Sequence, residues 1–278
     1  MQQLRETNPV PQANPSNPSH ETTLPLALGA ELGRGGFGRV YIKADEPSLC
    51  VKISTKHNGQ SCRQWSNEYK KIKDIYSHLE SHPLYKKLKR ATLLIPKNFI
   101  ETDADCGMIM PRILRPTAIG SPKNTVETIT LHPQLGLPTG SMVFKGRGEF
   151  LGLAEIQKWV SFKELKTVAY ELGTLMGLIH FVAKNDAYDI EVFLGREKHS
   201  RTLKFYIADF DLTETYTNLS EPIIERLRWS MDAVPYFPTI NSSPELFKLF
   251  LEGYKKIAIG ANAELGSTWV NKIFEYYG

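Results

Sequence analysis

Cysteine is scarce in this chain: Cys50, Cys62 and Cys106 are the three among 278 residues. They form no CxxC pair and have no His at zinc-ligand spacing, so neither a structural zinc site nor a disulfide framework is indicated. A reducing compartment fits that pattern. Long apolar runs are also missing, and no stretch approaches the roughly 18 residues that a membrane span needs. The N-terminus has neither the basic start nor the apolar run of a secretory signal, so an intracellular protein, cytoplasmic or nuclear, is expected. No charge of one sign dominates. Lys+Arg number 34 against 30 Asp+Glu, and the densest basic group, Lys86-Lys87-Leu88-Lys89-Arg90, reads as a solvated helix face. No nucleic-acid partner is therefore expected.

What is present is ordinary for a folded globular chain, with 41% hydrophobic and 23% charged residues. That composition excludes disordered, collagen-like and membrane classes and says nothing about chemistry. Residues 1–24 are Pro-, Asn- and Ser-rich with few large apolar side chains, the pattern of a disordered tail. Short β-type runs separated by Gly or acidic turns follow over 28–32, 39–44 and 49–54. Trp65, Tyr69, Ile72, Ile75 and Leu79 recur at helical spacing and predict a long helix over 61–82. Two more strands are expected over 93–100 and 107–110, giving five in all. Residues 114–150 are rich in Pro, Gly and Thr and read as an irregular insertion or hairpin. A buried helix over 162–183, a hairpin over 191–208, and helices over 221–233, 244–259 and 266–277 complete the pattern.

The glycine loop Gly33-x-Gly35-x-x-Gly38-x-Val40 lies between two strands. The same glycines between a strand and a helix would suggest a dinucleotide site, whereas this context points to a nucleoside triphosphate. Glycine lets the backbone approach phosphates without a Cβ and adopt positive φ where the turn needs it. Phe37 at the tip can screen the phosphates from water. Lys52 follows in the strand Leu49-Cys50-Val51-Lys52-Ile53, where a flexible ammonium can reach phosphate oxygens. Glu68, on the following helix, is the counter-charge such a half-buried lysine needs.

On these residues, 30–111 resemble the N-terminal lobe of the protein-kinase superfamily, with a hinge at Met110-Pro111-Arg112-Ile113. The resemblance implies ATP and Mg²⁺ as cofactors, with adenine against the hinge at Met110 and against Val40. Asp209, in Ala208-Asp209-Phe210-Asp211, stands where the family's Asp-Phe-Gly aspartate ligates Mg²⁺. Asp211 replaces the glycine. The family's His-Arg-Asp loop has no clean copy. Asn185-Asp186-Ala187-Tyr188-Asp189-Ile190-Glu191 is the nearest match, with Asp186 at the catalytic aspartate, Asp189 as rival base, and Glu191 as a second metal ligand. His180 is expected to pack or cap a helix end.

Few residues follow Asp211 and no Ala-Pro-Glu segment is present. The resemblance therefore implies an α+β, two-lobed kinase-like fold: a five-stranded N-lobe over 25–113, an insertion over 114–160, and an abbreviated, mostly helical C-lobe over 161–278. Its activity would be phosphoryl transfer to a hydroxyl of a protein or small-molecule acceptor. The alternative is a pseudokinase serving as a signalling or scaffold module. The stretch from Asp186 to Leu194, the strand end at Asp209, and Val234-Pro235-Tyr236-Phe237-Pro238 also resemble an uncharacterised fungal domain family often labelled "zinc finger protein". That label has no matching ligand set in this chain.

Overall fold

Alternate residues of a strand face opposite sides of its sheet, and the two sides of the first sheet are used differently. A computed structural model describes residues 26–34, 38–54, 59–101, 106–116, 131–144, 148–198, 200–232 and 235–261. The expected tail over 1–24, Gly35 and Phe37 of the glycine loop, and the helix expected over 266–277 lie outside the described residues. The chain is mixed α+β. Strands β1 (Leu28–Arg34), β2 (Gly38–Lys43), β3 (Leu49–Ser54), β5 (Asn98–Glu101) and β6 (Cys106–Pro111) form an antiparallel sheet in the order β1-β2-β3-β6-β5. Leu49, Val51, Ile53 and Ile109 pack together on one face. Cys50, Met108 and Met110 turn to the other, against Trp65 of helix α1 (Gly59–Leu79).

Strand β4 (Ala91–Leu93) corrects the reading of 93–100 as one strand. Pro96 separates it from β5, and a proline cannot donate to a ladder. β4 instead pairs in parallel with β12 (Lys204–Ala208), which is antiparallel to β11 (Glu191–Glu197). β11 in turn pairs with β7 (Ile113–Leu114), so the segment leaving β6 joins the two sheets. The stretch read as an insertion holds a three-stranded sheet, with β10 (Gly148–Gly152) between parallel β8 (Leu131–Gln134) and antiparallel β9 (Ser141–Phe144). A short helix α2 (Leu153–Ile156) follows.

The largest core gathers around α3 (Phe162–Gly177), which starts at a capping box: Ser161 Oγ accepts from the Glu164 N–H, and Glu164 accepts from the Ser161 N–H. α3 packs against α5 (Pro244–Ala261), and α4 (Glu221–Asp232) adds Ile224, Leu227 and Met231 to the same core. Glycines permit the close crossing of α3 and α5. A Cβ on Gly173 would fall 1.9 Å from the Phe250 carbonyl oxygen, and one on Gly253 2.2 Å from that of Tyr170. Among the described residues no helix is long and apolar enough to cross a membrane.

Two expectations from spacing alone are corrected. The Lys86–Arg90 group keeps Lys86, Lys87 and Lys89 exposed but is not a helix face: only Tyr85–Lys87 form a short 3₁₀ turn. The buried Glu171 carboxylate accepts the consecutive N–H groups of Lys89, Arg90 and Ala91, and Arg90 bonds to Glu164. Cys62 and Cys106 are joined in a disulfide, their Cα atoms 5.5 Å apart although 44 positions separate them in sequence. No local spacing rule can detect a pair brought together by a helix folding over a strand.

α3 continues into a π-helical turn, Leu178–Val182, that holds His180. Its Nδ1 lies 2.8 Å from the Tyr254 hydroxyl, its Nε2 3.2 Å from Ser230 Oγ, and its carbonyl accepts from the Tyr216 hydroxyl. It therefore ties the helices together as a packed residue. Burial pushes its pKa down from 6.5 to about 3. The unfolded chain takes up this proton below about pH 6.5 and the folded chain does not, so the neutral imidazole's contribution is present above that pH and is lost as pH falls toward 3. Between about pH 6.5 and 5 the wild type should lose roughly 2 kcal/mol more stability than His180→Gln, as read by urea denaturation at each pH.

Candidate functional site

Period two places Lys52 on the same face of β3 as Cys50, beneath α1, in one cross-sheet row with Val40 and Met108. Glu68 comes down from α1 and is 3% exposed. Asp209 comes from the end of β12. Lys52 Nζ stands 2.8 Å from Asp209 Oδ1 and 3.4 Å from Glu68 Oε1, and 4.5 Å from the Trp65 ring centroid. Two successive elements and a strand end 157 positions away thus meet at one ammonium. Burial alone would push the Lys52 pKa down, but Asp209 and Glu68 outweigh it and the net direction is up. Glu68 moves the other way from a normal ion-pair carboxylate. Its burial dominates the longer contact to Lys52, and Asp209 and Asp211 add repulsion, so its pKa rises to about 7.

More carboxylates surround Asp209 than the lysines nearby can balance. Burial, then repulsion from Asp209, raises Glu191 to about 7 and also raises Asp189 and Asp211. Burial with the field of Glu191, Asp189 and Asp209 raises the buried Tyr236 phenol. Among the described residues no three His, Cys, Asp or Glu side chains could hold a metal ion by themselves. The donor chemistry nonetheless suits Mg²⁺, which is commonly bound through one or two carboxylates with substrate phosphates and water completing the shell.

Backbone strain is concentrated in the same place. Lys184, Ala187, Asp189 and Asp209 have φ of 51°, 50°, 60° and 62°. Left-handed backbone costs a non-glycine residue of order 1 kcal/mol or more and recurs where the surroundings impose it. Here the 184–188 loop is held by the 213–216 segment, through Asp186 N–H to the Glu214 carbonyl and Tyr216 N–H to the Lys184 carbonyl.

The two candidate bases are placed very differently. Asp186 is fully buried. One of its oxygens accepts from the Tyr188 and Glu214 N–H groups, and the other lies 2.5 Å from Arg226 Nε. It ties α4 to both loops and leaves no oxygen facing solvent. Asp189 is exposed beside Asp209.

Of the glycine loop, Gly33, Gly38 and Val40 are described. Gly38 has a different role from the expected approach to phosphate: a Cβ there would meet the Trp65 ring at 2.7 Å and the Ile53 carbonyl oxygen at 2.9 Å. It lets α1 sit on the sheet. A Cβ on Gly33 would meet nothing within 4 Å. Val40, Leu32, Ile113 and Phe193 are half-buried around a cluster containing Cys50, Met108, Met110, Tyr206 and Ala208, so the two sheets share an apolar seam beside Lys52.

No family model matches the chain, and no curated protein matches it either. The resemblance to protein kinases therefore rests on its sequence motifs alone.

Sequence reasoning missed Lys71, Arg226 and Tyr236. Lys71, one helical turn after Glu68, donates to the carbonyls of Phe210 at 2.9 Å, Asp211 at 3.1 Å and Thr213. The only available signal was the i, i+3 spacing from Glu68, common to countless surface lysines. Lys71→Met deprives three carbonyls of their donor and should lower stability by about 1–3 kcal/mol. Lys71→Arg should recover part of that loss in the same chemical denaturation experiment.

Proposed function

We propose that the chain is an atypical, two-lobed protein-kinase-like protein that binds ATP with Mg²⁺ and transfers the γ-phosphoryl group to a hydroxyl. The observation that carries this reading is the Lys52 ammonium held jointly by Glu68 and Asp209. A half-buried lysine aimed by a glutamate is what phosphate oxygens require, and an aspartate within its reach is what a bridging cation requires. The five-stranded sheet and the strand joining it to β11 agree with an N-lobe and hinge.

In this reading the adenine enters the apolar seam between Val40 and Phe193, beside Met110. Gly33, where a Cβ would meet nothing within 4 Å, borders the phosphates. Lys52 exchanges Asp209 for phosphate oxygens, which frees the Asp209 carboxylate for the cation. Asp209 and Glu191 would hold Mg²⁺, whose charge would offset that of the phosphates. Asp189 receives the acceptor hydroxyl's proton, because it is exposed and its raised pKa strengthens it as a base. Asp186, assigned this role by motif position, instead anchors the loop through Arg226.

A second reading, a nucleotide-binding module without turnover, draws on the same observation. The aspartate at the motif's catalytic position is buried and neutralised by Arg226. Acceptor identity separates the two readings less well than turnover does.

Isothermal titration with MgATP should show binding that Lys52→Ala and Asp209→Ala each weaken at least tenfold, about 1.4 kcal/mol. Absence of any Mg²⁺-dependent ATP affinity in the wild type sinks the proposal. Incubation with γ-labelled ATP and cell extract should give transfer that Asp189→Asn abolishes at unchanged melting temperature. Asp186→Asn should instead destabilise the fold by about 1–3 kcal/mol, because it weakens the buried hydrogen bonds to Arg226 and to the Tyr188 and Glu214 N–H groups. Binding with no transfer by the wild type would favour the module.

A further inference from the structure

We propose that the Cys62–Cys106 disulfide is a reversible redox switch that sets the affinity of the Lys52 site for Mg²⁺-nucleotide. The inference rests on the nucleotide-binding reading and adds its regulation. Both ends of the bridge are close neighbours of the site. Cys62 lies in the first turns of α1, one turn before Trp65 and two before Glu68. Cys106 begins β6, and the next residue, Gly107, pairs with Ile53 so tightly that a Cβ on it would meet the Lys52 carbonyl oxygen at 2.9 Å.

A continuous set of contacts connects the bridge to the ammonium. Trp65 packs in the same cluster as Cys62 and Cys106 and lies against Gly38 on one side and under Lys52 Nζ on the other. The bridge therefore fixes how deeply the start of α1 sits on the sheet, and with it the aim of Glu68. At the far end α1 is tied by Lys71 to the carbonyls that follow Asp209. With the bridge open, the helix keeps that second tether and the start of α1 is released.

The chemistry is ordinary thiol–disulfide exchange with a dithiol reductant. A reductant thiolate attacks the half-exposed Cys62 sulfur, the protein S–S bond breaks, and Cys106 leaves as a thiolate that takes a proton. The reductant's second thiol then displaces Cys62 from the mixed disulfide. The protein gains two electrons and two protons and the reductant ends as a disulfide. The third cysteine does not interfere: Cys50 is buried, donates toward the Met110 carbonyl, and burial pushes its thiol up to about 12.

The test uses the full chain purified without reductant. Under denaturing conditions one thiol should react before dithiothreitol treatment and three after it. Reduction should weaken MgATP binding about tenfold, within the usual range of site-to-site coupling. Amide exchange should rise selectively over residues 62–72. A Cys62→Ser, Cys106→Ser double variant should stay in the weak state and ignore dithiothreitol. Three reactive thiols before reduction overturn the proposal. So does an open bridge with unchanged affinity, or with exchange rising evenly over the whole chain, the mark of a plain staple. If neither redox state binds MgATP, the nucleotide reading falls and the switch with it; equal binding in both states removes the switch alone.

Discussion

A single ammonium group, that of Lys52, has to be balanced in a half-buried position, and much of the structure around the site follows from that requirement. Water cannot fully solvate the charge there, so carboxylates must approach it from more than one element. Glu68 can do so only if α1 lies close on the sheet, which explains the bare Cα of Gly38 beneath Trp65. Asp209 can do so only if the chain turns sharply at the end of β12, which explains its left-handed backbone. Lys71 then secures the far side of that turn by collecting its carbonyl groups.

The same balance leaves carboxylates in surplus. Asp209 satisfies Lys52 at short range, while burial first and repulsion from Asp209 second make Glu68, Glu191, Asp189 and Asp211 hold their protons more tightly than free side chains do. Such a cluster is a poor stabiliser of the fold. A few residues away the protein solves the opposite problem. His180 is kept neutral by burial and makes its hydrogen bonds to uncharged hydroxyls, joining α4, α5 and the π-helical turn without any charge.

Much of the secondary structure was legible because its causes are local. Alternation in Leu49–Ser54 and the three-to-four spacing of Trp65, Ile72, Ile75 and Leu79 are visible in any linear reading. Errors arose where a partner distant in sequence decides. Pro96 divides what looked like one strand, but only β12 explains why Ala91–Leu93 leaves for another sheet. The basic run before it keeps its lysines exposed, but no linear reading shows that Glu171 accepts the N–H groups of Lys89 and Arg90 at its end and of Ala91 beyond it. Cys62 and Cys106 carried no spacing signal at all.

By itself the sequence determined the residue types of the candidate site and the faces they occupy. Lys52 alternates with buried Val51 and Ile53, and Glu68 falls within the buried stripe of a helix, because strand and helix periods are properties of the backbone. Only the tertiary structure decided which charges meet. Asp186 and Asp189 are three positions apart in one loop, yet Arg226 of α4 claims the first and leaves the second facing water. The physical reason is that a charge in a half-buried site is governed by its nearest counter-ion in space, and chain folding alone brings that counter-ion within reach.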